Sequence, residues 1–162
     1  MKTLYAALLA SGICIIAALL EGLSAGRNVK SFFASLKSPR YSPPLWVWSI
    51  IGGIYYIVFW FVLFRLFRLE TDSFVKIIAL TLIVFMMIVN ALTNYIIFRA
   101  RNLYLSFMVG SAFPIMDIAL FACLLRLDEL AAWSMIPYLL YRIYAVWWGY
   151  RLWKANETKP HV

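Results

Sequence analysis

The chain has 162 residues, of which 65% are hydrophobic, 18% aromatic and 14% charged, with a formal net charge of +8. Soluble domains are about half apolar and a quarter charged, so the polar residues here cannot cover a compact particle and a bilayer must supply most of the outer surface. At roughly 20 apolar residues per spanning helix, the length admits five spans with short joints and excludes a large extramembrane domain.

Apolar stretches occur at residues 4–25, 45–68, 75–98, 103–126 and 131–153. They run continuously, without the alternation that a membrane β-barrel requires. The expected fold is therefore an all-α membrane protein, a bundle of five transmembrane helices in one domain over residues 1–156 with a short tail at 157–162. The first stretch follows Lys2 and has small residues at Ser24 and Ala25, as a cleaved signal would. Its length and the four basic residues after it, Arg27, Lys30, Lys37 and Arg40, oppose translocation of that loop, so a retained helix is expected. Glu21, close to the end of this helix, is expected to reach the headgroup region.

The loop that follows contains Pro39, Pro43 and Pro44, which fix φ and remove three backbone donors. It is either a stiffened lid or simply the start of the second helix, where proline is well tolerated. Phe32, Phe33, Leu36 and Tyr41 make it too apolar to sit loosely in water and favour the lid. The second stretch carries Trp46 and Trp48 near its start, Gly52-Gly53 after them, and Tyr55, Tyr56 and Phe59 at greater depth. The glycines permit close helix approach or leave a hollow. In the third stretch Asn90 and Asn94 share a helix face with Thr93 beside them; such side chains bond between membrane helices.

Pro114 is expected to kink the fourth helix, which also holds Asp117. The fifth begins near Pro137 and places Tyr138, Tyr141 and Tyr144 three residues apart, a stripe of phenols with Ala145 a turn beyond Tyr141. That stripe either packs against a helix or faces a ligand. Asp117 and Arg142 lie at membrane depth, where a charge is costly and faces the bundle interior or a wet cavity. They either pair with each other or serve a site, and the two roles are compatible. Most tryptophans, Trp46, Trp48, Trp133, Trp147, Trp148 and Trp153, lie near span ends, as interfacial anchors do.

Nine basic residues fall on one side, Arg27, Lys30, Lys37, Arg40, Arg99, Arg101, Arg151, Lys154 and Lys159, against five on the other, Lys2, Arg65, Arg68, Lys76 and Arg126. The positive-inside rule then puts the N-terminus outside and the C-terminus in the cytoplasm. The charge is mostly this topology signal, and no separate basic domain exists for nucleic acid. The only histidine is His161, and Cys14 and Cys123 sit in apolar runs, so an ordinary zinc site, a histidine triad or a disulfide framework lacks material.

The segment from Phe32 to Pro44, Phe-Phe-Ala-Ser-Leu-Lys-Ser-Pro-Arg-Tyr-Ser-Pro-Pro, followed by Leu45-Trp46-Val47-Trp48, resembles the signature of the TspO/MBR family, the tryptophan-rich sensory proteins. Asn90-Ala91, Phe98-Arg99-Ala100-Arg101, Asp117, Ala132-Trp133 through Leu139, Tyr144-Ala145 and Trp153-Lys154-Ala155-Asn156 extend the resemblance in order. It implies five transmembrane helices, a homodimer, and a first loop folded over a pocket that opens toward the cytoplasm. It also implies ligands such as porphyrins, sterols and benzodiazepine-type compounds, and for some bacterial members light-dependent degradation of protoporphyrin. The chain departs from the family pattern at Ser38 for lysine, at Tyr41, Gly52 and Tyr141 for tryptophans, at Thr93 for an aromatic and at Gly149 for asparagine. The missing indoles argue for binding over catalysis.

The expected function is a membrane receptor or carrier for a flat, amphipathic ligand, a tetrapyrrole first and a sterol-like lipid second, with no required cofactor and no metal. The candidate ligand-binding residues are Tyr41, Trp48, Gly52, Tyr56, Asn90, Asp117, Tyr138, Tyr141, Arg142 and Ala145. Arg142 or the basic residues of the first loop would receive ligand carboxylates. The alternatives are a porphyrin-degrading enzyme, using tyrosines such as Tyr41, Tyr55, Tyr56 and Tyr141, and a structural or regulatory subunit. A bacterial plasma membrane is the expected location, with the mitochondrial outer membrane as the alternative by resemblance.

Overall fold

The computed structural model describes residues 3–157. Lys2, Lys159 and His161, together with most of the expected 157–162 tail, lie outside the described residues. Those described form seven helices: α1 (Thr3–Ala25), α2 (Val29–Ser35), α3 (Leu45–Arg68), α4 (Phe74–Phe98), α5 (Leu103–Leu127), α6 (Glu129–Ser134) and α7 (Ile136–Asn156). Four of them, α1, α3, α4 and α5, are long and apolar enough to cross a membrane.

The fifth apolar stretch is not one continuous helix. It divides at Met135 into the short α6 and the longer α7. Asp128 starts α6 by accepting a hydrogen bond from Ala131 N at 2.9 Å, and Pro137 stands in the first turn of α7, where its missing donor costs nothing. Pro114, by contrast, is accommodated inside an unbroken α5. Asn102 caps α5 by accepting from Leu105 N at 2.9 Å, and Ser73 caps α4 by accepting from Lys76 N at 3.2 Å.

The long helices form a ring in the order α3–α1–α4–α5–α7, each packed on the next. α7 and α3 close it chiefly through large rings: Tyr138 meets Tyr55 at 5.7 Å and Phe59 at 5.3 Å, and Trp48 meets Trp148 at 4.4 Å. Contact between these two helices is thus made mainly by aromatic side chains.

The two ends of the ring differ. The end formed by the C-termini of α3 and α5 and by α6 is solid, with Phe59, Leu63, Leu66, Ile83, Leu120, Leu124, Ala131, Ala132 and Met135 all buried. There Arg65 clasps Asp128 at 2.6 Å, joining α3 to the start of α6. At the opposite end, where α1, α4 and α7 finish and α3 and α5 begin, the interior is hollow and α2 lies across it. Outside, a belt of large apolar side chains is exposed, including Leu8, Ile16, Leu19, Ile57, Phe85, Ile88, Ile115, Ile118 and Ile143. That surface suits hydrocarbon.

Candidate functional site

The hollow end encloses a cavity of about 250 Å³. Its wall carries large rings from four helices, with Trp48 and Tyr55 from α3, Phe98 from α4, Phe107 from α5, and Tyr138, Tyr141 and Trp148 from α7. Space is made by small residues. Gly52 and Gly110 line it, and nothing lies within 4 Å of a Cβ built on either; Ala145 and Gly149 line it from α7. At Gly52-Gly53 the structure thus shows the hollow, not a close helix approach.

The roof is α2 with its following segment, through Phe33 and Leu36. It is fastened to α7 at three places. Asn156 accepts from Lys37 N at 2.9 Å and donates to Lys37 O at 3.1 Å, satisfying both backbone groups of one loop residue. Trp148 Nε1 donates to Ser42 Oγ at 2.9 Å, and Tyr144 OH donates to Tyr41 O at 2.9 Å. Phe33 also stacks on Trp148 at 6.4 Å. The proline-rich loop is therefore a lid as well as a helix start: Pro44 precedes the first turn of α3, and Pro39 is buried.

Of the residues selected from the sequence, Trp48, Gly52, Asn90, Tyr138, Tyr141, Arg142 and Ala145 come together on this cavity. Tyr41, Tyr56 and Asp117 do not line it. Tyr41 sits at positive φ in the lid, 74% exposed, and meets α7 only through its carbonyl and through Tyr144. Tyr56 stands behind the wall. Asp117 is buried on α5 and accepts from Arg142 Nε at 3.1 Å.

That ion pair revises the expected role of Arg142 as the receiver of ligand carboxylates. Arg142 also bonds Tyr138 OH, and its guanidinium lies 4.2 Å from the Phe113 ring centroid and 4.9 Å from that of Tyr138. A guanidinium so enclosed has its counterion already, and detaching it would leave Asp117 charged and unpaired in the interior. Arg142 shapes the cavity floor and fixes Tyr138. Arg27, Lys30, Lys37 and Arg40 are exposed on the lid side and remain available to anions.

Glu21 departs from its expected place near the headgroups. It does not extend to the headgroups but turns into the bundle and lines the cavity. Its Oε2 accepts from Tyr56 OH at 2.6 Å and Asn90 Nδ2 at 3.0 Å, and its Oε1 accepts from Asn94 Nδ2 at 2.9 Å. These donors sit on α3 and α4, so one carboxylate joins three helices. Asn94, expected to serve as interhelical glue, lines the cavity as well. Two further polar groups stand out: Trp48 Nε1 and Tyr55 OH are buried without a hydrogen-bond partner among the described residues. Buried donors are normally satisfied, and both belong to the cavity wall.

The tryptophans divide by location. Trp46 and Trp133 are 65% and 61% exposed, as interfacial anchors would be, whereas Trp48 and Trp148 touch each other in the cavity wall. Trp60 uses its Nε1 to bond Ser11 Oγ at 3.0 Å and tie α3 to α1.

No curated protein matches the chain. The model of the TspO/MBR family matches residues 10–154, from the first half of α1 to the last turn of α7, and so takes in every cavity wall and the lid. The chain belongs to the TspO/MBR family.

Proposed function

We propose that the protein is a multi-pass membrane receptor or carrier whose lidded cavity takes a flat, amphipathic ligand, with a tetrapyrrole as the first class and a sterol-like lipid as the second. The observation that carries this reading is the aromatic-walled cavity beneath the lid, in which Trp48 meets Trp148 at 4.4 Å and Tyr141 at 6.3 Å. Such walls hold a planar ring system by stacking and burial. At about 250 Å³ the cavity is smaller than the roughly 300–1,000 Å³ usual for a ligand pocket. A macrocycle therefore enters with the lid displaced and one edge toward the mouth, where Lys30, Lys37 and Arg40 receive its carboxylates.

The topology belongs to the same proposal. α7 has 21 residues, about 31 Å at 1.5 Å per residue, which spans a hydrocarbon core of about 30 Å. Its one charge at depth, Arg142, is neutralised by Asp117. Five spans result, with the N-terminus outside and the lid and C-terminus in the cytoplasm, in a bacterial plasma membrane, as a homodimer. The test is a titration of the purified protein with protoporphyrin while tryptophan fluorescence is followed. Saturable quenching is expected, and its absence overturns the reading for tetrapyrroles.

A second reading, light-dependent porphyrin breakdown, is favoured by one observation. Trp48 and Trp148 put two indoles on the cavity although the family's own tryptophan positions are filled by Tyr41, Gly52 and Tyr141. Illumination of the complex discriminates: ligand loss faster than in protein-free detergent supports catalysis, and equal loss leaves a binding protein.

A further inference from the structure

We propose that Glu21 makes the cavity selective for flat ligands that turn a protonated amine, or another strong hydrogen-bond donor, toward the carboxylate. This rests on the reading of the cavity as a ligand site and narrows its ligand class. Every group bonded to Glu21 is neutral: a phenol and two carboxamides supply its three hydrogen bonds. A carboxylate accepts at about four lone-pair positions, so one remains on a residue that lines the cavity.

No cation among the described residues bonds or pairs with Glu21. Arg142, on the same cavity, is committed to Asp117 and Tyr138. Arg99 donates to the Leu23 carbonyl at 2.7 Å and closes the end of α1. An intramembrane carboxylate without a counter-charge is costly. A ligand ammonium removes that cost with a charge-assisted hydrogen bond and gains cation–π attraction from the indole and phenol faces nearby. The cavity is thus acidic inside and basic at its mouth, and a ligand with both groups enters in one orientation.

The test uses one ring system in three charge states, 9-aminoacridine (cationic at neutral pH), acridine and acridine-9-carboxylate, titrated into the intact protein in nonionic detergent against empty micelles. Protoporphyrin quenching is measured on the same preparation. Wild-type protein is expected to bind 9-aminoacridine about tenfold tighter than acridine, the worth of one hydrogen bond to a charged group, and the carboxylate weakest. Glu21→Gln is expected to reduce that ratio to within about threefold. The wild-type series needs no variant, so misfolding of Glu21→Gln cannot shield the inference. Equal binding of the three acridines by wild-type protein that quenches with protoporphyrin overturns this inference and leaves the cavity reading standing. A preference that persists in folded Glu21→Gln overturns it too, and binding of none of the four compounds overturns both.

Discussion

Glu21 and the Asp117–Arg142 pair show how differently a charge can be held inside the same bundle. Asp117 is 1% exposed and accepts from Arg142, whose guanidinium is covered by the rings of Phe113 and Tyr138. Removing one partner of such a buried pair leaves the other unsatisfied, at a cost of about 3–5 kcal/mol. Arg142→Ala is therefore expected to lower the melting temperature in detergent strongly. The double variant Asp117→Leu with Arg142→Met should recover most of the loss, because neither charge then remains. A double variant as unstable as Arg142→Ala would mean that the instability comes from something other than an unpaired charge. The single substitution also releases Tyr138, so weaker ligand binding in Arg142→Ala alone does not make Arg142 a ligand contact.

The residue scale is also where the sequence is least readable. Asp117 and Arg142 are legible as interior charges because each falls near the middle of an apolar stretch, 103–126 and 131–153. Glu21 was not, because it lies four residues from the end of α1, within snorkelling distance of the headgroups. What turns it inward is Tyr56, Asn90 and Asn94, which are 35, 69 and 73 residues away in the chain. No local pattern carries that information. Tyr41 failed for the opposite reason: the family motif points to its position, but a lid residue at positive φ directs its ring away from the cavity while its carbonyl faces α7.

At the scale of elements, the lid is defined by what holds it. Asn156 uses both atoms of its carboxamide on the backbone of Lys37, and Trp148 and Tyr144 add one hydrogen bond each. At about 1 kcal/mol per bond, Asn156→Ala loses about 2 kcal/mol of closure, on the order of thirtyfold in local opening. Hydrogen exchange should accelerate by that order across residues 36–42 and hardly at all in α4. Uniform acceleration across the protein would instead place Asn156 in global stability. The lid's existence was readable from three prolines and four apolar residues; its fastening was not, since Asn156 lies 119 residues from Lys37. The helix set was readable from hydropathy apart from the division at Met135, where Asp128 caps one helix and Pro137 opens the next.

At the scale of the whole molecule, a solid end and a hollow end follow from the ring order. α3 and α7 close the ring through Tyr55, Phe59 and Tyr138 where the interior is filled, and Gly52, Gly110 and Gly149 leave it open beyond. The basic excess lies at the hollow end, so the proposed orientation puts the lid in the cytoplasm. In intact cells a membrane-impermeant thiol reagent should label Asp72→Cys between α3 and α4, and Lys30→Cys in α2 only after lysis. The native thiols, Cys14 buried and Cys123 half-buried within helices, give a low background. Labelling of Lys30→Cys alone in intact cells would reverse the topology and with it the side on which ligand enters.

Whether ligand binds in the cavity is decided by Gly110→Phe. Gly110 lines the cavity from α5, and nothing lies within 4 Å of an added Cβ, so the position has room for a side chain to start and a benzyl group there takes up cavity space. Gly110 itself makes none of the lid's hydrogen bonds and none of those to Glu21. In a protoporphyrin titration followed by tryptophan fluorescence, wild-type protein should quench saturably, and Gly110→Phe of unchanged helicity should bind at least about tenfold more weakly, the range over which one buried aromatic group shifts an affinity. Equal saturable quenching by the two proteins would mean that the ligand sits elsewhere than in the cavity.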